Sequence, residues 1–126
     1  MNSILLSIKP EYAFSIIEGS KRFEYRKRLA VKSINKIYIY CTAPISGVIA
    51  CVDVIGIIDG SPTFVWENTK DYAGISRKKY REYFHGCNSA YAYKLGDVTV
   101  FDEPKHINEF GVKTIPQSFV YLNKVD

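Results

Sequence analysis

The feature that most constrains the fold is the run Gly47-Val48-Ile49-Ala50-Cys51-Val52-Asp53-Val54-Ile55-Gly56-Ile57-Ile58, in which Asp53 is the one charged residue. β-branched side chains are stiff about χ1 and pack well on a pleated surface, so the run favours a strand. A strand with one wet face alternates apolar and polar residues, and this one does not. It predicts a central strand buried on both faces, with Gly56 marking a bulge or bend.

Shorter strand patterns surround it: Ser3 to Lys9, Lys21 to Arg28, Ile37 to Cys41, and Ser118 to Val125. Another opens at Tyr91, Tyr93 and Leu95 and continues after Gly96-Asp97 as Val98 to Phe101, before a polar excursion at Glu103-Pro104. Helices are punctuated by their ends. Pro10 pre-sets the first turn of one that Gly19 closes, with Ala13, Ile16 and Ile17 on one face. Ser61-Pro62 starts a second, to Asp71, and Ser76 caps a third through Phe84, with Ile75, Tyr80, Tyr83 and Phe84 as its apolar side. Leu29 to Lys36 is a basic connection. With 126 residues the chain makes one domain, residues 1–126. The class is α+β, a small β-barrel, closed or nearly so, with short helices covering its openings.

The segment richest in chemistry is Gly19-Ser20-Lys21-Arg22-Phe23-Glu24-Tyr25-Arg26. In a strand Arg22, Glu24 and Arg26 share one face and Phe23 and Tyr25 the other, with same-face neighbours about 6.6 Å apart. One carboxylate bracketed by two guanidiniums beside a lysine suits a ligand with both a phosphate and a base edge. On residue types alone the run also reads as a solvated charged face, its ion pairs worth about 0–1 kcal/mol each. A positive φ at Gly19 would let backbone approach a ligand closely.

Net charge is +4, unevenly spread. From Lys21 to Lys36, seven cations stand against Glu24 alone, a local balance of +6, and Arg77-Lys78-Lys79-Tyr80-Arg81 adds four more cations. Such clustering is the footprint of a polyanion binder, although solubility also accounts for it. Ten tyrosines accompany the charge. Tyr40, Trp66, Tyr91 and Tyr93 are candidates for stacking on bases, with a core role as the competing assignment.

Three widely spaced cysteines and two histidines form no metal-ligand pattern, so no metal and no cofactor is expected. The cysteines read as buried free thiols. No apolar run reaches the roughly 18–20 residues that span a bilayer. The first residues lack the basic and apolar regions of a signal peptide, which points to the cytoplasm.

Gly19-x-Lys21-x-x-Glu24-x-Arg26 resembles the Gly-x-Lys-x-x-Glu-x-Arg motif of ASCH domains, a branch of the PUA-like superfamily. Ser7-Ile8-Lys9-Pro10-Glu11-Tyr12-Ala13 resembles that family's strand-to-helix junction, and Tyr38-x-Tyr40-x-x-x-Pro44-x-x-Gly47-Val48-Ile49-Ala50 its passage between two barrel strands. Tyr83-Phe84-x-Gly86, Ala90-Tyr91-Ala92-Tyr93, Glu103-Pro104 and Pro116-Gln117-Ser118-Phe119-x-Tyr121 resemble its C-terminal half. The resemblance implies a PUA-like barrel and an RNA- or nucleotide-binding module, a regulator of transcription or translation. It implies a ligand cleft around Lys21, Glu24 and Arg26, with Lys9, Arg22, Tyr40 and Tyr93 as further binding residues. The alternative is an enzyme acting on RNA or a modified nucleoside through Lys21, Glu24 and Arg26. Relatives that deacetylate acetylcytidine carry a threonine nucleophile where this chain has Glu24, which argues against that activity.

Overall fold

The computed structural model describes residues 2–122. Six strands form one mixed sheet in the order β2-β5-β4-β3-β1-β6. In chain order these are β1 (Asn2–Ile8), β2 (Phe23–Arg26), β3 (Ile34–Cys41), β4 (Gly47–Gly60), β5 (Ala90–Lys105) and β6 (Phe119–Leu122). Helix α1 (Pro10–Glu18) follows β1, while α2 (Pro62–Thr69) and α3 (Arg77–Tyr83) lie between β4 and β5.

The apolar run is the spine. β4 pairs antiparallel with β3 on one side and with the 16-residue β5 on the other. Residues 47–52 are buried, as an all-apolar strand requires. Beyond Asp53 the strand alternates, leaving Ile55 60% and Ile57 48% exposed. The expected two-sided burial therefore holds for the first half only. β4 outruns its cover there, and its ladder with β5 shifts register between Val52 and Val54 and between Val54 and Gly56. The polar excursion expected at Glu103-Pro104 is instead the end of β5, which stays paired through Val48 and Lys105. A side chain on Gly47 would press on Pro104 Cβ, so a glycine there lets the two strands come together.

Local end signals act where they stand. Gly19 closes α1 at φ 93 and its N–H bonds back to Ser15 and Ile16. The hydroxyls of Ser61 and Ser76 accept from Phe64 N and Lys79 N to cap α2 and α3. Of the expected last strand, Ser118 precedes β6, and 123–125 lie outside the described residues.

One core packs Ile4, Leu6, Ile37, Ile39, Ile49, Val52 and Leu95 against Ala13 and Ile16 of α1. A second gathers Phe23, Tyr25, Val65, Trp66, Tyr80 and Phe84 between β2, β5 and the two later helices. Cys41 and Cys51 are buried free thiols, and Cys87 is half-buried. Among the described residues, no helix is long and apolar enough to cross a membrane.

The sheet is not closed. Among the described residues no ladder joins the edge strands β2 and β6. A contact of 3.5 Å from Arg26 Nη1 to Ser118 Oγ reaches across that seam. Both edge strands have four residues. A strand rises only about 3.3 Å per residue, so two short edges have little length with which to meet.

Candidate functional site

The open seam holds a cleft of about 490 Å³. The end of β1 and the start of α1 supply Ser7, Ile8, Lys9, Glu11 and Tyr12. Lys21 comes from the turn, Glu24, Tyr25 and Arg26 from β2, and Ile75, Lys79, Glu82 and Tyr83 from α3 and the residue before its cap.

Lys21 is the buried cation of the site, at 4% exposure. Its backbone N–H bonds to Ser15 O at the end of α1, so the helix stop fixes where the side chain begins. Its Nζ donates to Ala73 O at 2.7 Å, and stands 4.9 Å from the Tyr25 ring centroid and 5.4 Å from that of Tyr12. Aromatic faces attract a cation but replace its hydration only in part. Burial accordingly holds the ammonium below the ordinary lysine value of 10.5. The Glu24 carboxylate opposes that shift, and the Arg26 guanidinium adds to it.

Gly74 makes room for this lysine. It sits at φ +64, and a Cβ there would overlap Lys21 Cβ and stand 2.8 Å from Lys21 Cδ. The Ala73-Gly74 backbone thus accepts a hydrogen bond from the amine and packs on its stem.

Glu24 and Arg26 pair at 2.9 Å, both largely buried. The Nε–H of Arg26 is buried without a protein partner, and Nη1 spans the seam to Ser118. On the opposite face of β2, Tyr25 joins the second core. Thr69 Oγ1 gives its one proton to Val65 O, so it accepts from Tyr25 Oη at 2.7 Å. Burial pushes the Tyr25 phenol up to about 12 and keeps it a neutral donor.

The structure brings Lys9, Lys21, Glu24 and Arg26 together at this cleft and places three other expected residues elsewhere. Arg22 shares neither the cleft nor the Glu24–Arg26 pair. β2 begins only at Phe23, and before it the backbone bonds Arg22 N to Tyr72 O and Leu95 N to Arg22 O, outside the strand ladder. Tyr40 is 3% exposed in a core with Leu5, Val48 and Ile107, on no cleft. Tyr93 is equally buried, and its hydroxyl accepts from Ala30 N, holding the basic connection. Gly19 lines a smaller neighbouring cavity and serves as a helix cap, with no close approach to the main cleft.

In sequence Lys79 counts only as part of a basic run, and neither it nor Glu82 is placed at the site. With Ile75 and Tyr83 they follow an i, i+4, i+7, i+8 stripe on one helix face, where the expected apolar side was Ile75, Tyr80, Tyr83 and Phe84. The cleft wall carries four cations, Lys9, Lys21, Arg26 and Lys79, against Glu11, Glu24 and Glu82. Among the described residues, no cluster of three or more His, Cys, Asp or Glu residues could hold a metal ion.

Residues 6–102 match the family described as the ASCH domain. The chain belongs to the ASCH domain family. An "ASCH domain-containing ribonuclease" of Zymomonas mobilis is 32% identical over 95% of this chain and 84% of its own length. The crystal structure of ASCH from Zymomonas mobilis superposes with a TM-score of 0.88 at 29% identity, covering 97% of this chain and 88% of that one. A tyrosine-to-phenylalanine mutant of that protein gives 0.89 at 28% identity, covering 98% and 92%. The ASCH assignment thus agrees with the motif resemblance over most of the chain, whereas this ASCH domain's sheet stops short of the closed barrel expected from it.

Proposed function

We propose that this ASCH domain binds single-stranded RNA, with one phosphate and its neighbouring base seated in the cleft over Lys21, Glu24 and Arg26. The observation that carries the reading is the state of Arg26: a largely buried guanidinium with one face paired to Glu24 and its Nε–H unmatched. Buried donors are ordinarily satisfied, so the site is incomplete without an acceptor. A phosphate oxygen is a strong acceptor for a guanidinium, and Glu24 can take a hydrogen bond from the exocyclic amino group of a cytosine-like base. Regulation of transcription or translation is the physiological role this binding would serve.

Binding is expected to weaken steeply with salt. Arg26→Ala combined with Lys27→Ala should flatten the slope of log affinity against log salt by roughly 1.4, at about 0.7 for each single-strand phosphate that is no longer neutralised. Fluorescence anisotropy of a labelled oligoribonucleotide over a salt series measures this. An unchanged slope would assign the charge to solubility.

Cleavage of the bound strand is a second reading, supported by the depressed proton affinity of Lys21 and by the relative named as a ribonuclease. A neutral amine at Lys21 takes the proton of a 2′-hydroxyl as its oxygen bonds to phosphorus. The P–O5′ bond breaks, a cyclic phosphate is left, and the 5′-oxygen takes a proton from water entering the open cleft, whose hydroxide recovers the proton held on Lys21. Arg26 balances charge on the phosphorane.

Deacetylation of acetylcytidine has no support from the site. Ser7 supplies a hydroxyl to the cleft wall, but its proton goes to Pro116 O at 2.7 Å, and Ser20 bonds to Glu18 instead. With Glu24 facing the cleft, an attacked amide oxygen would meet a carboxylate in place of an oxyanion stabiliser. Release of acetate from acetylcytidine is expected to stay at background. Turnover by the wild type that Lys21→Ala abolishes would reverse that conclusion.

A further inference from the structure

Helix α3 has a second concave side. Lys79, Glu82 and Tyr83 face the cleft, while Arg77, Tyr80, Arg81, Phe84 and His85 turn towards α2 and, with Trp66, line a separate groove of about 260 Å³. The spacing produces this division: 77, 81 and 85 recur every four residues, and 80 and 84 fall beside them. The groove floor is aromatic. Trp66 and Tyr80 meet at 4.8 Å between ring centroids, Tyr80 and Phe84 at 4.7 Å, and all three are buried. The rim carries two exposed guanidiniums, Arg77 and Arg81, beside an exposed His85, and no carboxylate lines the groove. Glu67, next to Trp66 on α2, is bonded to Lys70 at 2.9 Å.

We propose that this groove is a second RNA contact, which takes the phosphates of the strand segment leaving the cleft. The proposal rests on the RNA-binding reading of the cleft. Arg77 and Arg81 hold phosphates across the rim, and the edge of Trp66 meets ribose or base. Both concavities share α3 as their wall, so a strand running between them crosses one helix, about 10–12 Å wide with its side chains. The contrast in charge supports the division of labour. The cleft mixes four cations with three acids, as a site reading a base edge needs, whereas the groove sets two arginines on an aromatic floor with no acid, as a site gripping backbone needs.

The test compares a single-stranded oligoribonucleotide of about 12 nucleotides, within the site sizes known for single-strand binders, with a diribonucleotide long enough for the cleft alone. Both carry 2′-O-methyl groups so that no cleavage intervenes. Arg77→Gln combined with Arg81→Gln replaces two exposed side chains without opening the core, and circular dichroism checks the fold. The affinity advantage of the long strand is expected to fall roughly 10-fold, and its salt slope by about 1.4. An unchanged advantage and slope would overturn the proposal, and would leave the groove to a partner other than RNA. Lys21→Ala and Arg26→Ala, made separately, report on the cleft. If neither weakens binding while the double variant does, the groove binds RNA without the cleft, so the cleft reading fails and the proposed path from cleft to groove fails with it.

Discussion

Replacing Lys21 by methionine is expected to lower RNA turnover by roughly 10²–10⁴-fold, the range for losing a general base, while the melting temperature stays level or rises. Methionine keeps most of the stem against Gly74 and removes a cation that the fold holds at a desolvation cost. A residue kept for packing would behave oppositely, with turnover and melting temperature falling together. The pH profile gives an independent check. An amine acting as base works when deprotonated, so the rate should rise with pH through a folded-state value below 10.5. Glu24 raises that value and Arg26 lowers it, so Glu24→Gln should move the ascending limb to lower pH and Arg26→Gln to higher pH. Shifts in the same direction, or a limb indifferent to both, would remove Lys21 from the base role. The linkage has the same sign for stability. Between the folded value and 10.5 the unfolded chain binds more protons at this lysine, so stability gains as pH rises across that window. A wild type that cuts no RNA would end the cleavage reading and leave binding affinity as the readout for Lys21→Met.

Gly74→Ala is expected to destabilise the chain and to disturb Lys21. It imposes a left-handed backbone on a residue with a side chain, about 1–2 kcal/mol, and drives a methyl into the Lys21 stem, about 1–3 kcal/mol for overpacking. The sum, roughly 2–5 kcal/mol, should show as a shift in the urea midpoint at constant m-value. Gly19→Ala is the matching control. Gly19 also has positive φ, yet a Cβ there meets nothing within 4 Å. It should therefore show the backbone penalty without the steric one, and leave RNA binding intact where Gly74→Ala weakens it by displacing Lys21. Equal costs at the two glycines, with binding preserved in both, would mean that Lys21 yields freely and that Gly74 does not position it.

Much of this structure is local and was legible for that reason. Pro10 and Gly19 bound α1, Ser61 and Ser76 cap the next two helices, and the β-branched run became the central strand, because caps and side-chain alternation act over one to four residues. The same alternation placed Glu24 and Arg26 on one face of β2, where they pair. It erred for Arg22, because alternation holds only within a paired strand and the ladder of β2 starts one residue later.

Sequence by itself determined the α+β class, the central strand, the helix starts, the concentration of positive charge and the family, although the second helix stops at Thr69 rather than Asp71, where a 3-10 turn takes over. Tertiary structure decided which of those residues meet. Lys21 is a desolvated cation only because Ala73 and Gly74, about fifty positions further on, fold over it and strip its water. Tyr40 and Tyr93 look like Tyr12 and Tyr83 on paper. Register buries the first pair, whereas the cleft wall receives the second. The open seam between β2 and β6 likewise follows from the lengths and relative placement of strands nearly a hundred residues apart. A residue's own neighbours set its local conformation, but desolvation, pairing and access depend on packing between distant segments, and those three properties make the site.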